Sequence, residues 1–297
     1  MAKTSSKEHS SRASEKYAPN PAATARQRFP RGLEQPPGSF RFSADALLLA
    51  AFLTADDGAK VLDIGTGCGV VALAMLCANP RSTATGLDRE PLLVETARRN
   101  AERLGVADRF SSFCLDVGKN EIFAKKQHPV APCRPSVNVA SGLLPGKTSL
   151  PFSTHTLPPW GTFDIVLANP PYRKPQCGRL PENPLRRAAL FEEENTLRAF
   201  CRCAFKAIAP DGRFGVIYPW SRLGDLKAAI LQAGLHAARI LEIRTRPEPE
   251  PKFVLVESSK HPAASAILQQ SLLLYDKDCC GKNTLTGEAR DFCPWLA

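Results

Sequence analysis

The sequence predicts a doubly wound α/β domain: a mostly parallel sheet with helices on both faces and an antiparallel edge strand. Three observations lead to this fold class. Short apolar runs typical of buried strands alternate with longer runs of helical periodicity. A late pair of strands flanks a proline-rich turn, which favours an antiparallel pairing. The chain has 297 residues, 43% of them hydrophobic, and this is enough for one large core.

Each predicted element has its own local signal. The first helix follows Ser43, a candidate N-cap, and a later helix begins at Pro91 and stops at Gly105. Further helices are expected after the first glycine-rich turn, around Leu197 to Ile208, and after Ser221. The predicted strands, in chain order, are "AKVLDIG", "TATGL", "RFSSFCLDV", "FDIVLA", "RFGVIY", "ARILEIR" and "KFVLVES".

The chain divides into one domain with appendages. Residues 1–38 are polar and basic and are predicted to form a disordered tail, and residues 39–275 carry the alternating pattern of the domain. Residues 117–160 interrupt that pattern with a proline-rich, basic stretch, so they are interpreted as an insertion. Residues 276–297 form a C-terminal extension.

The positive charge is concentrated in two segments. The net charge is +10; residues 1–41 hold eight Lys/Arg against three Glu, and residues 117–160 hold five against one. Basic segments flanking a nearly neutral domain suit a polyanion, RNA in particular, that is held at its edges. The alternative is that both segments only increase solubility.

Composition argues against two other classes of protein. No stretch approaches 18 uninterrupted apolar residues, and no apolar segment follows the N-terminal lysines, so we expect a cytoplasmic protein without a membrane partner. The ten cysteines include no C-x-x-C pair, and the spacings at Cys201 and Cys203 do not suit a tetrahedral metal site. We therefore expect reduced thiols and no bound metal.

A glycine-rich turn follows the first predicted strand. It reads "DIGTGCG", with Asp63 ending the strand and Gly65, Gly67 and Gly69 spaced as G-x-G-x-G. Glycines allow a tight turn and a close approach of backbone to ligand. The spacing lacks the two-residue gap of the usual dinucleotide fingerprint.

Acidic residues also end the next two strands. Asp88 follows the second strand and is placed to accept both hydroxyls of a ribose, while Asp116 follows the third and is placed to accept from a purine amine. Acidic helix caps would explain either residue alone. Together with the turn they predict a nucleoside site at the carboxyl ends of the strands.

These motifs resemble the class I S-adenosylmethionine-dependent methyltransferases, whose sheet is Rossmann-like. "VLDIGTGCG" is similar to their nucleoside-binding motif, and "NPPY" after the fourth strand is similar to the motif of enzymes that methylate amine or amide nitrogens. Further similarity in "FRFSADALLLAAF", "ARRNAERLGVADR" and "VLVESSK" extends over residues 39–275, apart from the insertion. It is greatest to the bacterial tRNA adenine-N6 methyltransferases that modify valine tRNA beside the anticodon. The resemblance implies S-adenosyl-L-methionine as cofactor and a tRNA as substrate.

The "NPPY" motif has a physical rationale in such an enzyme. An aromatic exocyclic amine is a poor nucleophile because its lone pair is delocalised into the ring. Acceptors at the Asn169 side chain and the Pro170 carbonyl would hold both N–H groups and aim the lone pair at the methyl group. Tyr172 offers a ring on which the base could stack. We also expect Asn169 to border the cofactor.

Two other functions are also compatible with these motifs. Release-factor glutamine methyltransferases share "NPPY", but their family carries a folded helical domain ahead of the catalytic one, and residues 1–38 are too short and polar for that. The other alternative is an RNA-binding protein that keeps the nucleoside pocket without turnover. The intact Asp63, Asp88, Asn169 and Tyr172 argue against it. The oligomeric state is not specified by the sequence.

Overall fold

In the computed structural model the fold is described for most of the chain. The described residues are 20–39, 41–119, 159–173, 195–248, 250–262, 268–278 and 280–296. The first 19 residues and most of the proline-rich insertion lie outside this set. The predictions that fall on them therefore remain predictions.

Helices and strands alternate as the sequence predicts. The helices are α1 (Pro21–Gln27), α2 (Ala44–Phe52), α3 (Val70–Ala78), α4 (Pro91–Leu104), α5 (Thr196–Ala207), α6 (Leu223–Gln232) and α7 (Gly287–Phe292). The strands are β1 (Lys60–Ile64), β2 (Thr83–Asp88), β3 (Phe110–Cys114), β4 (Phe163–Ala168), β5 (Ile208–Pro219), β6 (His236–Arg244), β7 (Phe253–Ser259), β8 (Leu268–Leu273), β9 (Tyr275–Lys277) and β10 (Asn283–Leu285). Among the described helices, none has the length and apolar character needed to cross a membrane.

The main sheet has eight strands in the order β3-β2-β1-β4-β5-β7-β6-β8. The predicted antiparallel strand is β7, which runs opposite to both β5 and β6. It lies between these two strands near one end of the sheet, because β8 pairs in parallel with β6 and continues the sheet outward. The strand order reverses between β1 and β4, which in doubly wound sheets is where ligands bind.

Apolar side chains cover both faces of the sheet and form two cores. Successive residues of a strand point to opposite faces, so Val61 packs into one core and Leu62 into the other. The first core is completed by α2, α3 and α4, and the second by α5 and α6. The helices therefore cover both faces, as predicted for a doubly wound fold.

The N-terminal segment differs from the predicted disordered tail of residues 1–38. Residues 20–39 are folded: Asn20 caps α1, and Phe29 and Leu33 are buried in the first core. The sequence did not predict this packing, because the apolar residues of the segment are few and lack helical periodicity. Phe29 and Leu33 pack against residues that are distant in the sequence.

The C-terminal extension is also part of the folded domain. Ala289 and Cys293, in and just after α7, are buried in the first core. Trp295 makes an edge-to-face contact with Phe29, with ring centroids 5.9 Å apart. The described N-terminal residues 20–39 and the C-terminal extension thus pack against each other on the face covered by α2 and α3.

Candidate active site

The residues that the sequence predicts for the site all lie at the carboxyl ends of the parallel strands. Ile64, the last residue of β1, is level with Leu87 of β2 on one side and with Ala168 of β4 on the other. Asp88 of β2 is in turn level with Cys114 of β3. The glycine turn, Asp88, the segment after β3 and Asn169 therefore begin side by side.

The turn after β1 is held against the end of β2. The backbone N–H groups of Gly65 and Thr66 both donate to the Leu87 carbonyl at 2.8 Å, and the Gly67 N–H donates to Asp88 Oδ2 at 2.8 Å. Gly67 has a φ of +56°, and a Cβ added there would meet no atom within 4 Å. The turn thus presents bare backbone to open space, which suits a ligand that approaches the main chain closely.

Gly69 serves a different purpose in the same turn. Its φ is +90°, and a Cβ there would lie 3.1 Å from both Ala97 of α4 and Leu73 of α3. The helix α3 begins at the next residue, Val70. Glycine at this position therefore lets α4 pack closely on the start of α3, below the turn.

Asp63 was predicted to bind the cofactor, but the structure places it behind the turn. Its carboxylate is 1% exposed and accepts from Thr66 Oγ1 at 2.8 Å and from the Ala72 N–H at 3.3 Å. Burial raises its pKa from 3.8 to about 7, against the opposing effect of the Thr66 hydrogen bond. Asp63 therefore stabilises the shape of the turn from inside the protein.

This raised pKa predicts a pH-dependent stability. Between pH 4 and 7 the folded state holds a proton on Asp63 that the unfolded state has released, so the free energy of unfolding falls as pH rises through that window. At about 1.4 kcal/mol per pH unit, the upper limit is about 4 kcal/mol. Denaturant unfolding of wild type and Asp63→Asn at pH 5 and pH 8 measures it. The stability difference between the two proteins should change with pH; a constant difference would contradict the prediction.

Asp88 is both a loop anchor and a candidate ribose ligand. Besides the Gly67 N–H on Oδ2, its Oδ1 accepts from the Glu90 N–H at 3.0 Å. Each carboxylate oxygen has a second lone pair, so two acceptor sites remain for ribose hydroxyls. Burial is the main cause that raises the pKa of Asp88 above its ordinary value. The open space at Gly67 and these acceptors fit the nucleoside of S-adenosylmethionine.

Asp116 lies two residues beyond β3 and is partly exposed. Its Oδ1 accepts from the Gly118 N–H at 2.9 Å, which closes a local turn. The other carboxylate oxygen keeps its acceptor capacity. Its predicted contact with a purine amine stays a prediction.

Asn169 follows β4 and is fixed by a residue to which the sequence reasoning assigned no role. Its side-chain Nδ2 donates to Asp45 Oδ2 at 3.0 Å. Asp45 lies in the first turn of α2 and is 2% exposed, and its other oxygen accepts from the Ser43 hydroxyl. Ser43 is the N-cap residue as predicted, but its hydroxyl donates to Asp45 and makes no cap hydrogen bond. The signal available in the sequence was an acid inside the apolar run "ADALLLAAF".

Tyr172 is half-buried and is held by aromatic neighbours. Its ring makes edge-to-face contacts with Tyr218 and Phe253, at centroid distances of 6.3 and 5.9 Å. Arg222 Nη1 donates to the Tyr172 carbonyl at 3.1 Å, and the guanidinium lies 5.1 Å from the Tyr218 ring centroid. Burial raises the Tyr172 pKa, with a further contribution from the negative charge of Asp45. Arg222 thus supports the loop that carries Tyr172.

A second residue that sequence reasoning missed is Asn100, which is fully buried in α4. Its Nδ2 donates to the Cys68 carbonyl of the glycine turn at 2.9 Å and to the Glu34 carbonyl at 3.0 Å, while its Oδ1 accepts from the Glu34 N–H at 2.7 Å. Arg99 forms a bidentate ion pair with the Glu34 carboxylate, which lowers the Glu34 pKa. Asn100 therefore links the N-terminal segment to the glycine turn.

The cysteines and acids in the described part of the chain form no metal site. No group of three His, Cys, Asp or Glu side chains there is arranged to hold an ion. Cys201 and Cys203 are buried in α5, and burial raises the pKa of both thiols to about 12.

Comparison with known proteins gives the following matches. A family profile described as a precorrin methyltransferase domain matches residues 42–131. A tRNA1(Val) (adenine(37)-N6)-methyltransferase of Porphyromonas gingivalis is 29% identical over 242 residues, covering 79% of this chain and 80% of the relative. A release factor glutamine methyltransferase of Bordetella pertussis is 26% identical over 182 residues, covering 59% and 53%. A solved structure, described as a predicted O-methyltransferase from Agrobacterium tumefaciens, aligns with a TM-score of 0.58 at 19% identity, over 85% of this chain and 97% of that one.

The fold, the glycine turn and these matches make the chain similar to the class I S-adenosylmethionine-dependent methyltransferases. Its cofactor is S-adenosyl-L-methionine. Within that class, the Porphyromonas tRNA enzyme is similar over a larger share of the chain than the Bordetella release-factor enzyme.

Proposed function

We propose that the protein transfers the methyl group of S-adenosylmethionine to the N6 amine of an adenine in the anticodon loop of a tRNA. The observation that carries the proposal is the orientation of Asn169. Because its amide nitrogen faces the Asp45 carboxylate, its oxygen is the atom left to accept a hydrogen bond from an incoming amine. Such an acceptor suits an exocyclic amine that must present its lone pair to a methyl donor.

The chemistry requires little beyond positioning. S-adenosylmethionine supplies an electrophilic methyl group on a sulfonium. The amine nitrogen would form the new N–C bond as the C–S bond breaks, with S-adenosylhomocysteine as the leaving group and the extra proton on nitrogen passing to solvent. In this proposal Asn169 accepts the amine N–H. The half-buried ring of Tyr172 offers a surface for stacking, which is worth about 1–3 kcal/mol per base.

Two further observations support an RNA loop as the substrate. The relative of higher coverage is named for adenine 37 of a valine tRNA. The net charge of +10 is concentrated in residues 1–41 and 117–160, as expected for a protein that holds a polyanion. An adenine amine inside a paired helix could not reach the loop after β4, so a single-stranded or flipped base is required.

A release-factor glutamine is the competing acceptor, because the Bordetella relative carries that name and an amide nitrogen would use the same Asn169 oxygen. A competition assay separates the two. The protein is given methyl-labelled cofactor with unmodified valine tRNA transcripts and release factors together, and the products are digested to nucleosides and amino acids. We expect label in N6-methyladenosine; label in methylglutamine would overturn the proposal in favour of the competing acceptor.

The tRNA in this assay must carry no earlier methylation. Unmodified valine tRNA transcripts are therefore used, together with a transcript in which adenine 37 is replaced by guanine. Loss of labelling with the second transcript would localise the acceptor. Equal labelling of both transcripts would contradict the proposed position.

A further inference from the structure

The Asp45 carboxylate has a contact that a structural role for α2 would not require. It is 2% exposed in the first turn of an apolar helix and lies 3.0 Å, through Oδ2, from the side-chain nitrogen of Asn169. The partner residue is 124 positions away and stands at the end of the switch-point strand β4. Burying a carboxylate is costly unless its oxygens accept hydrogen bonds, and both oxygens of Asp45 do so here.

The contact determines which way the Asn169 amide faces. The oxygen and nitrogen of an asparagine side chain are nearly equal in size, so shape alone does not select between the two orientations. An ionised carboxylate accepts hydrogen bonds and cannot donate them. Facing Asp45, Asn169 must therefore present its nitrogen to α2 and its oxygen away from it.

We propose that Asp45 is a positioning residue, which holds the Asn169 amide with its oxygen directed at the acceptor amine. This inference rests on the proposed function, since it gives the Asn169 oxygen a nitrogen acceptor to bind. It assigns to α2 a part in the methyl-transfer site. Asp45 itself acts through Asn169.

The helix that carries Asp45 is anchored to the sheet at its other end. Arg239 Nη2 donates to the Phe52 carbonyl at 2.6 Å, and Arg213 Nη2 donates to the Thr54 carbonyl at 2.7 Å. Both arginines form ion pairs with Glu257 of β7. α2 is therefore fixed by charged groups of β5, β6 and β7, so Asp45 is held by a rigid element.

Close packing supports the same conclusion. Leu53, directly after α2, approaches β5 so closely that a Cβ on Gly215 would lie 2.8 Å from its Cδ1. Leu53 itself is 1% exposed. A shift of the helix that released Asn169 would thus have to disturb the core of the sheet.

The test is a reciprocal exchange of the two side chains. In Asp45→Asn the new amide can accept from or donate to Asn169, so the orientation is lost; we expect kcat to fall at least about tenfold with S-adenosylhomocysteine affinity unchanged. Asn169→Asp places two carboxylates face to face and should lose at least as much. In the double variant, an amide at 45 donates to a carboxylate oxygen at 169, whose other oxygen faces the acceptor. This exchange should restore at least about tenfold over the Asn169→Asp single variant.

Matched measurements separate positioning from folding. Asp164→Asn is the control. The exposed Asp164 carboxylate accepts the Lys60 N–H at 2.7 Å at the amino ends of β1 and β4, away from the site. The control variant should leave kcat unchanged. Melting temperatures are recorded for every variant. If the double variant regains its melting temperature but not kcat, Asp45 has only a structural role and the proposal is overturned.

A readout that needs no acceptor keeps this inference distinct from the proposed function. In the ¹⁵N-labelled protein, one side-chain amide proton of Asn169 should exchange with solvent at least about tenfold more slowly than those of the exposed Asn283, and Asp45→Asn should remove that protection. Unprotected Asn169 protons in the wild type would overturn the inference whatever the acceptor. Protection together with methylglutamine as product would overturn only the adenine assignment.

Discussion

Replacing Asn169 by alanine should abolish methyl transfer while S-adenosylhomocysteine still binds within a few fold of wild type. The variant removes the oxygen that accepts the amine N–H, and this hydrogen bond belongs to the acceptor and not to the cofactor. Single-turnover rates with labelled cofactor measure the loss. Residual activity above about a tenth of the wild-type rate, roughly 1.4 kcal/mol of barrier, would assign Asn169 another role.

The same variant deprives the buried Asp45 carboxylate of one donor. A cost of about 1–3 kcal/mol in the free energy of unfolding is expected, so rates must be measured well below the melting temperature. Asn283→Ala is the control, because Asn283 is exposed on β10. It should preserve both rate and stability.

Replacing Asp88 by alanine should weaken cofactor binding by about a hundredfold or more. The variant loses two acceptors for the ribose hydroxyls, and hydrogen bonds to a charged group contribute about 1.5–3 kcal/mol each. It also releases the Gly67 N–H, which Asp88 holds at 2.8 Å, and so loosens the turn that faces the ligand. Calorimetric titration with S-adenosylhomocysteine measures the change.

The control for this prediction is Asp164→Ala. It also removes a carboxylate that accepts a backbone N–H, but this one lies at the amino ends of the strands. It should leave cofactor affinity unchanged. Titration with NAD provides a second comparison, because the G-x-G-x-G spacing is not that of a dinucleotide site. NAD bound as tightly as S-adenosylhomocysteine would contradict the assignment of the pocket.

Much of the fold could be predicted because its signals are local. Buried strands appear as apolar runs, and glycine, proline and acidic residues mark where they end. These signals identified the turn at Gly67, the carboxylate of Asp88 and the amide of Asn169. The sheet brings all three to the carboxyl ends of its parallel strands. The sequence did not show that the Asp63 carboxylate is buried against Thr66 and Ala72, because the position of a residue in a strand does not show on which side its carboxylate finds donors.

By itself the sequence determined the doubly wound sheet, the glycine turn and the residue types at the strand ends, since these depend on periodicity and backbone freedom within a few positions. Only the tertiary structure decided which side chains support them. Asp45 meets Asn169 across 124 positions, and Asn100 joins Glu34 to the glycine turn across 66 and 32. Such pairs leave no local pattern, because a hydrogen bond depends on the distance between two atoms in the folded chain and not on their separation in sequence.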